Sequence, residues 1–165
     1  MIKPLKKFGQ NYLIDKNIIK KIIDIINPQP DDTIIEIGPG RGALTEYLAK
    51  YDSKVYAVEI DKRVIESLEN RYPNIEFINQ DFLEINLSQF NTDKIRLVGN
   101  IPYNITSPIL FKIFENNILI KDAILMVQYE VAKRMTAKVR NKDYGILAVL
   151  LQYFSETEIC FKVSP

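Results

Sequence analysis

The 165-residue sequence has no histidine and a single cysteine, and these two scarcities exclude whole classes of chemistry. Without histidine there is no Ser-His-Asp or Cys-His catalysis, no imidazole general base and no histidine-ligated zinc. Cys160 alone forms neither an internal disulfide nor a cysteine zinc site, so no metal is expected and a reducing cytoplasm is the expected compartment. Its neighbours Ile159 and Phe161 are apolar, so the thiol is expected to sit in the core as a small apolar group. Net charge is almost absent too. With 22 Lys and Arg against 21 Asp and Glu there is no whole-molecule basic field, and any nucleic-acid surface must be local. No apolar run reaches membrane-spanning length. The opening residues are not expected to form a secretory signal, because Lys3, Lys6 and Lys7 lead into polar Gly9, Gln10 and Asn11. Internal repeats and low-complexity stretches are missing as well, which argues against a solenoid or a linker.

What is present is a hydrophobic content of 47%, enough for one globular domain with a core. Ile18, Ile19, Ile22, Ile23 and Ile26 recur at helical spacing until Pro28 and Pro30 stop the pattern. A strand over Thr33–Ile37, a glycine turn and a helix through Ala43–Ala49 follow. Further strands are expected at Lys54–Ile60, Ile75–Ile78, Ile95–Val98, Ala123–Val127 and Thr157–Val163. Helices are expected around Val64–Leu68, over Ile109–Phe114, around Val131–Met135 and over Tyr144–Phe154. This alternation indicates an α/β fold, a doubly wound and mostly parallel sheet. Ligands of such sheets lie beyond the carboxyl ends of the strands, where the winding reverses.

The residues closing the strands therefore carry the functional reading. Gly38, Gly40 and Gly42 form a turn after the first strand, where missing side chains let a ligand lie against the backbone; taken alone, this is also what a tight packing turn looks like. Glu59 closes the second strand 17 residues past Gly42, the distance at which a carboxylate reaches a nucleoside ribose. Ile60, beside it, is placed in the same cofactor site. These features fit S-adenosylmethionine and NAD alike. Asp81 closes the third strand, either as an acceptor for an adenine amine, with Phe82 or Leu83 against the ring, or as a helix cap. Asn100, Ile101, Pro102 and Tyr103 close the fourth. Adenine N6 is a poor nucleophile because its lone pair is delocalised into the ring. Accepting hydrogen bonds from both its N–H bonds, on the Asn100 side-chain oxygen and the Ile101 carbonyl, turns the lone pair towards a methyl donor. Pro102 stiffens that turn and Tyr103 offers a stacking face. A dehydrogenase explains the glycine turn and Glu59 but leaves Asn100–Tyr103 without a role. A DNA adenine methyltransferase differs only in substrate, and a non-catalytic binding factor would keep the fold and pocket. Cytosine C5 methylation needs an active-site cysteine, and Cys160 lies in the wrong segment.

The run Phe8–Leu13, the turn Glu36–Gly42, and the segments Gln80–Leu83, Asn100–Pro108, Met126–Arg134 and Tyr144–Phe154 resemble the KsgA-type small-subunit rRNA adenine dimethyltransferases, with the Erm methyltransferases as cousins. Gly9, Gln10 and Asn11, together with Tyr144 and Gly145, sit nearer the KsgA type. The resemblance implies a Rossmann-like S-adenosylmethionine-dependent methyltransferase fold. It assigns Asn11 and Leu13 to closing over the cofactor, Gly38 to contacting it, Glu59 to the ribose, Asp81 to the adenine, and Asn100 to cofactor and target amine together. It also implies dimethylation of two adjacent adenines of small-subunit rRNA on a pre-30S particle, by a monomer. Members of the family continue into a proline-rich aromatic segment, a further strand and a small helical domain, whereas this sequence stops at Val163, Ser164 and Pro165. A catalytic domain over residues 1–165, binding cofactor with weak or no methylation, is therefore expected. Two basic groups are candidate RNA tracks: Lys3, Lys6, Lys7, Lys16, Lys20 and Lys21, and Lys133, Arg134, Lys138, Arg140 and Lys142.

Overall fold

A computed structural model describes residues 13–163, which fall into two compact units, one through Met126 and one from Val127. In the first, helix α1 (Lys16–Ile26) opens at Asp15, whose carboxylate accepts from the N–H groups of Asn17 at 2.7 Å and Ile18 at 3.3 Å, and closes at Asn27 in the left-handed conformation. Ile19, Ile22, Ile23 and Ile26 form its buried stripe, each contributing about 1.5–3 kcal/mol relative to exposure.

Strands β1 (Thr33–Ile37), β2 (Lys54–Glu59), β3 (Ile75–Asn79), β4 (Ile95–Asn100) and β5 (Ile120–Met126) form one sheet, ordered β3-β2-β1-β4-β5 and parallel throughout. The helices α2 (Thr45–Leu48), α3 (Lys62–Leu68) and α4 (Thr106–Glu115) alternate with them. Every residue of β1 is buried, as expected of a central parallel strand. The winding reverses at β1, which pairs with β2 on one side and β4 on the other. The expected α/β class and doubly wound sheet are both found.

At the amino end of the sheet, Arg96 is buried and joined to Asp32 at 2.6 Å and Asp122 at 2.8 Å, while Lys121 reaches Asp32 at 3.1 Å. Burial pushes the Asp32 carboxyl up, but hydrogen bonds from the Gln29 N–H, Arg96 and Lys121 outweigh it and hold Asp32 below its usual range. The pairing of β4 with β5 shifts register here: Ile95 faces Ile120 and Arg96 faces Asp122, so Lys121 is an extra residue in β5.

The second unit contains α5 (Tyr129–Met135) and α6 (Ile146–Phe154), with the Gln152 amide donating to the Ala137 carbonyl at 2.8 Å. Two expectations fail in this unit. Thr157–Val163 forms no strand, because alternating apolar residues supply propensity but a strand also needs a neighbour for its backbone groups, and no described segment pairs with this one. Cys160 is consequently exposed rather than buried. Element limits differ too: α2 starts at Thr45 because the preceding glycine residues hold positive φ, and α6 starts at Ile146, after an extended Gly145.

Candidate functional site

Because the strands are parallel, their carboxyl ends share one edge of the sheet, and register decides which residues meet there. Ile37 pairs with Val58 on one side and Gly99 on the other, so the next residues, Gly38, Glu59 and Asn100, stand side by side across three strands. The Gly38 N–H donates to the Val58 carbonyl at 2.9 Å. Glu59 pairs with Asn79, whose side-chain amide donates to the carbonyls of Glu59 at 2.9 Å and Ile60 at 3.3 Å. Asp81 lies two residues further on. Four of the expected strand ends are thus brought to one edge.

The glycine turn holds Gly38, Gly40 and Gly42 at φ of 65°, 56° and 82°. A side chain at Gly38 would meet no heavy atom within 4 Å, so the turn leaves an open cradle at the end of β1. A Cβ at Gly42 would stand 2.8 Å from the Leu68 side chain, which fixes the close approach of the turn to α3.

Two buried carboxyls flank this turn. Glu59, 5% exposed, accepts from the backbone N–H of Asp61 at 2.9 Å and from those of Gly40 and Ile60. Burial pushes its carboxyl above the usual range against those N–H groups, and the Asp61 carboxylate adds to the rise. Glu36, next to last in β1, accepts from the Thr45 hydroxyl at 2.7 Å and from the Thr45 N–H. Its pKa is raised to about 7: burial pushes it up, the Thr45 bonds pull part of that back, and the Glu59 charge adds to the rise. Sequence reasoning placed Glu36 in the motif but gave it no task. The signal was there, since a charged residue in an otherwise apolar, fully buried strand needs a partner.

Asn100 ends β4 beside Gly38 and is half-buried. Ile101 is buried and its N–H donates to the Met126 carbonyl at 2.9 Å. The Pro102 carbonyl accepts from the Ile105 N–H and the Thr106 hydroxyl, both at 3.2 Å, locking the turn that leads into α4. Tyr103 projects with 58% of its surface exposed, so one ring is presented to solvent next to the site. Asp81 accepts from the Leu83 N–H at 2.9 Å and so caps the short turn Phe82–Glu84. Phe82 is buried, and Leu83 is the more open of the two residues expected near an adenine.

Ile60 is 48% exposed beyond Glu59. Leu13, Lys16 and Ile19 line a cleft of about 180 Å³ with Arg41, Gly42, Glu46 and Tyr47, at the far end of the glycine turn; Gly38, Glu59, Asp81 and Asn100 do not line it. Asn11 lies outside the described residues, as do Lys3, Lys6 and Lys7. Lys16, Lys20, Lys21, Arg134, Lys138, Arg140 and Lys142 are exposed, while Lys133 pairs with Glu130 at 3.1 Å. Among the described residues no cluster of acidic or sulfur side chains has metal-site geometry, and no helix is long and apolar enough to cross a membrane.

This edge offers an open backbone cradle, a buried carboxylate at the next strand, and a rigid polar turn carrying an exposed aromatic ring. Comparison with known proteins points the same way. The profile of the ribosomal RNA adenine dimethylase family matches residues 2–165. A ribosomal RNA small subunit methyltransferase A from Chlorobium phaeobacteroides is 50% identical over 159 residues, covering 96% of this chain and 59% of that protein. Among solved structures, a dimethyladenosine transferase from Plasmodium falciparum is 32% identical with a TM-score of 0.77, covering 86% of this chain and 52% of that one. The 23S rRNA methyltransferase ErmE is 36% identical with a TM-score of 0.69, covering 82% of this chain and 53% of its own. The chain therefore spans roughly half to three-fifths of the length of these relatives.

Proposed function

Since the chain belongs to the ribosomal RNA adenine dimethylase family, we propose that it is an S-adenosylmethionine-dependent enzyme that dimethylates N6 of adjacent adenines in small-subunit rRNA on a pre-30S particle. The observation that carries this reading is the register that sets Asn100, Gly38 and Glu59 side by side. Residues 1–165 act as the catalytic methyltransferase domain, as a monomer in the cytoplasm. The residues present fit the cofactor. The open Gly38 position accommodates its amino-acid portion, Gly40 holds the turn, and the buried Glu59 carboxylate, already aligned by three N–H groups, accepts from the ribose hydroxyls. Asp81 takes the adenine amine, with Leu83 and Ile60 beside the ring and Phe82 packed beneath them, and Asn11 and Leu13 close the near side.

When bound, the cofactor supplies an electrophilic methyl on a sulfonium. The protein's part is to aim the nucleophile. The Asn100 side-chain oxygen and the Ile101 carbonyl accept the two N–H bonds of adenine N6, drawing the nitrogen out of conjugation, and the Pro102 turn keeps both acceptors in place. Tyr103 stacks on the extruded base, worth about 1–3 kcal/mol. The proton departs after transfer, so no histidine is needed. Lys133, Arg134, Lys138, Arg140 and Lys142 contact phosphates.

The test is to incubate the protein, expressed at its full encoded length, with labelled S-adenosylmethionine and unmethylated small subunits, and to map the label. Two adjacent labelled adenines are expected. Label on large-subunit RNA would move the protein to the Erm type. Binding without label, unchanged in Asn100→Ala, would make it a non-catalytic factor.

A further inference from the structure

Lys112 lies in the last turn of α4 and has no role in the site as described, yet its ammonium reaches the site's scaffold. It donates to the carbonyls of Leu83 at 2.9 Å and Ile85 at 2.6 Å, and it stands 5.8 Å from the centre of the Phe82 ring. Leu83 is thereby held at both ends. Its N–H donates to the Asp81 carboxylate at 2.9 Å while its carbonyl accepts from Lys112. The position of the Asp81 carboxylate is therefore set through one residue by an ammonium on another element. That element matters, because α4 begins where the Asn100–Ile105 turn ends. A single side chain links the helix behind the target-amine turn to the short turn that carries Asp81.

A lysine ammonium is suited to this. It has three donors and no acceptor, so it takes two carbonyls of one irregular turn at once and fixes their spacing. We propose that Lys112 is a positioning residue for adenine recognition: by clamping the Leu83 and Ile85 carbonyls it holds Asp81 where it accepts from the cofactor's adenine amine. This rests on the reading of Asp81 given under the proposed function.

The experiment compares two ligands differing at that amine, S-adenosylhomocysteine and S-inosylhomocysteine, in which an oxo group replaces it. Calorimetric titration of wild type, Lys112→Met and Lys112→Arg gives the ratio of the two Kd values, with thermal unfolding recorded for each protein. Wild type is expected to favour the adenosyl ligand by about tenfold or more, the worth of one charge-assisted hydrogen bond. In Lys112→Met the ratio falls to about threefold or less, and Lys112→Arg, which restores donors, recovers most of it. A Lys112→Met protein that unfolds more easily but keeps the wild-type ratio would show a structural prop only and overturn the inference. Should Lys112→Met not fold, Lys112→Gln, whose shorter amide reaches one carbonyl at most, carries the same comparison with the same outcomes. A wild type that binds both ligands equally removes the Asp81 reading and the inference with it; a wild type that binds neither ligand removes the cofactor reading.

Discussion

Replacing Glu36 with Gln should flatten the pH dependence of stability, and the sign and size of the effect follow from the surroundings of that carboxyl. Glu36 is 2% exposed, so its interactions are little screened by solvent. Its pKa rises from 4.5 to about 7, chiefly through burial. Below pH 4.5 the group is protonated in the folded and unfolded chain alike, and it costs nothing. Between 4.5 and 7 the unfolded chain gives up its proton first, so folding is progressively opposed. Above 7 the penalty is complete, at about 3 kcal/mol for a displacement of that size. The glutamine of the variant has no proton to lose, and its amide oxygen still accepts from the Thr45 hydroxyl and N–H. The variant and the wild type should therefore run at a constant offset near pH 4.5 and diverge as pH rises. By about pH 8 the Tm of Glu36→Gln should have gained roughly 6–12 °C on the wild type relative to that offset, for a chain of this length. A residual slope is expected in the variant, because the Glu59 carboxyl is raised in the same direction. Scanning calorimetry at half-unit steps from about pH 4.5 to about pH 8 reads this directly. Parallel curves for the two proteins would refute the reasoning, since they would mean that Glu36 titrates alike in the folded and unfolded chain.

Arg96→Met leaves the buried Asp32 carboxylate with only Lys121 and the Gln29 N–H and should cost about 1.5–3 kcal/mol in urea unfolding, with Asp32→Asn on the same background restoring part of the loss. Gly99→Ala drives a Cβ to 2.7 Å from the Ile37 carbonyl oxygen, which is backbone and does not move aside, so a drop in stability of about 1–3 kcal/mol and a displaced Asn100 are expected, read by unfolding and by loss of cofactor affinity together. Tyr103→Phe should keep substrate affinity and Tyr103→Ala should weaken it about 10- to 100-fold, because stacking needs the ring and not the hydroxyl. Equal losses in both Tyr103 variants would point to a hydrogen bond instead.

The sheet was legible because its strands are short apolar runs closed by polar residues, and the strand ends were legible because a parallel sheet sends all of them to one edge. Thr33–Ile37 and Lys54–Glu59 illustrate both points. What the sequence did not disclose depends on partners far along the chain. Lys112 reads as an ordinary cationic residue of an amphipathic helix, and only the fold reveals the two carbonyls it faces. Glu36 reads as part of a motif until its burial against Thr45 is seen. Thr157–Val163 failed in the opposite direction, because its alternation describes a strand while ladder partners are a property of the whole fold. Cys160 followed that error, its expected burial having depended on the strand.

The supernumerary Lys121 has no opposite number on β4, and the sheet can therefore spare it without losing step. Its deletion would let Ile120 and Asp122 face Ile95 and Arg96 as consecutive rungs, and every pair from there to Asn100 and Met126 would stand unchanged. What would go is the ammonium on Asp32, whose carboxylate would be left to Arg96 and the Gln29 N–H. The bulge thus takes up one residue of length at the floor of the sheet and passes none of it on to the rim, where the Met126 carbonyl meets the Ile101 N–H and steadies the turn that aims the reacting amine.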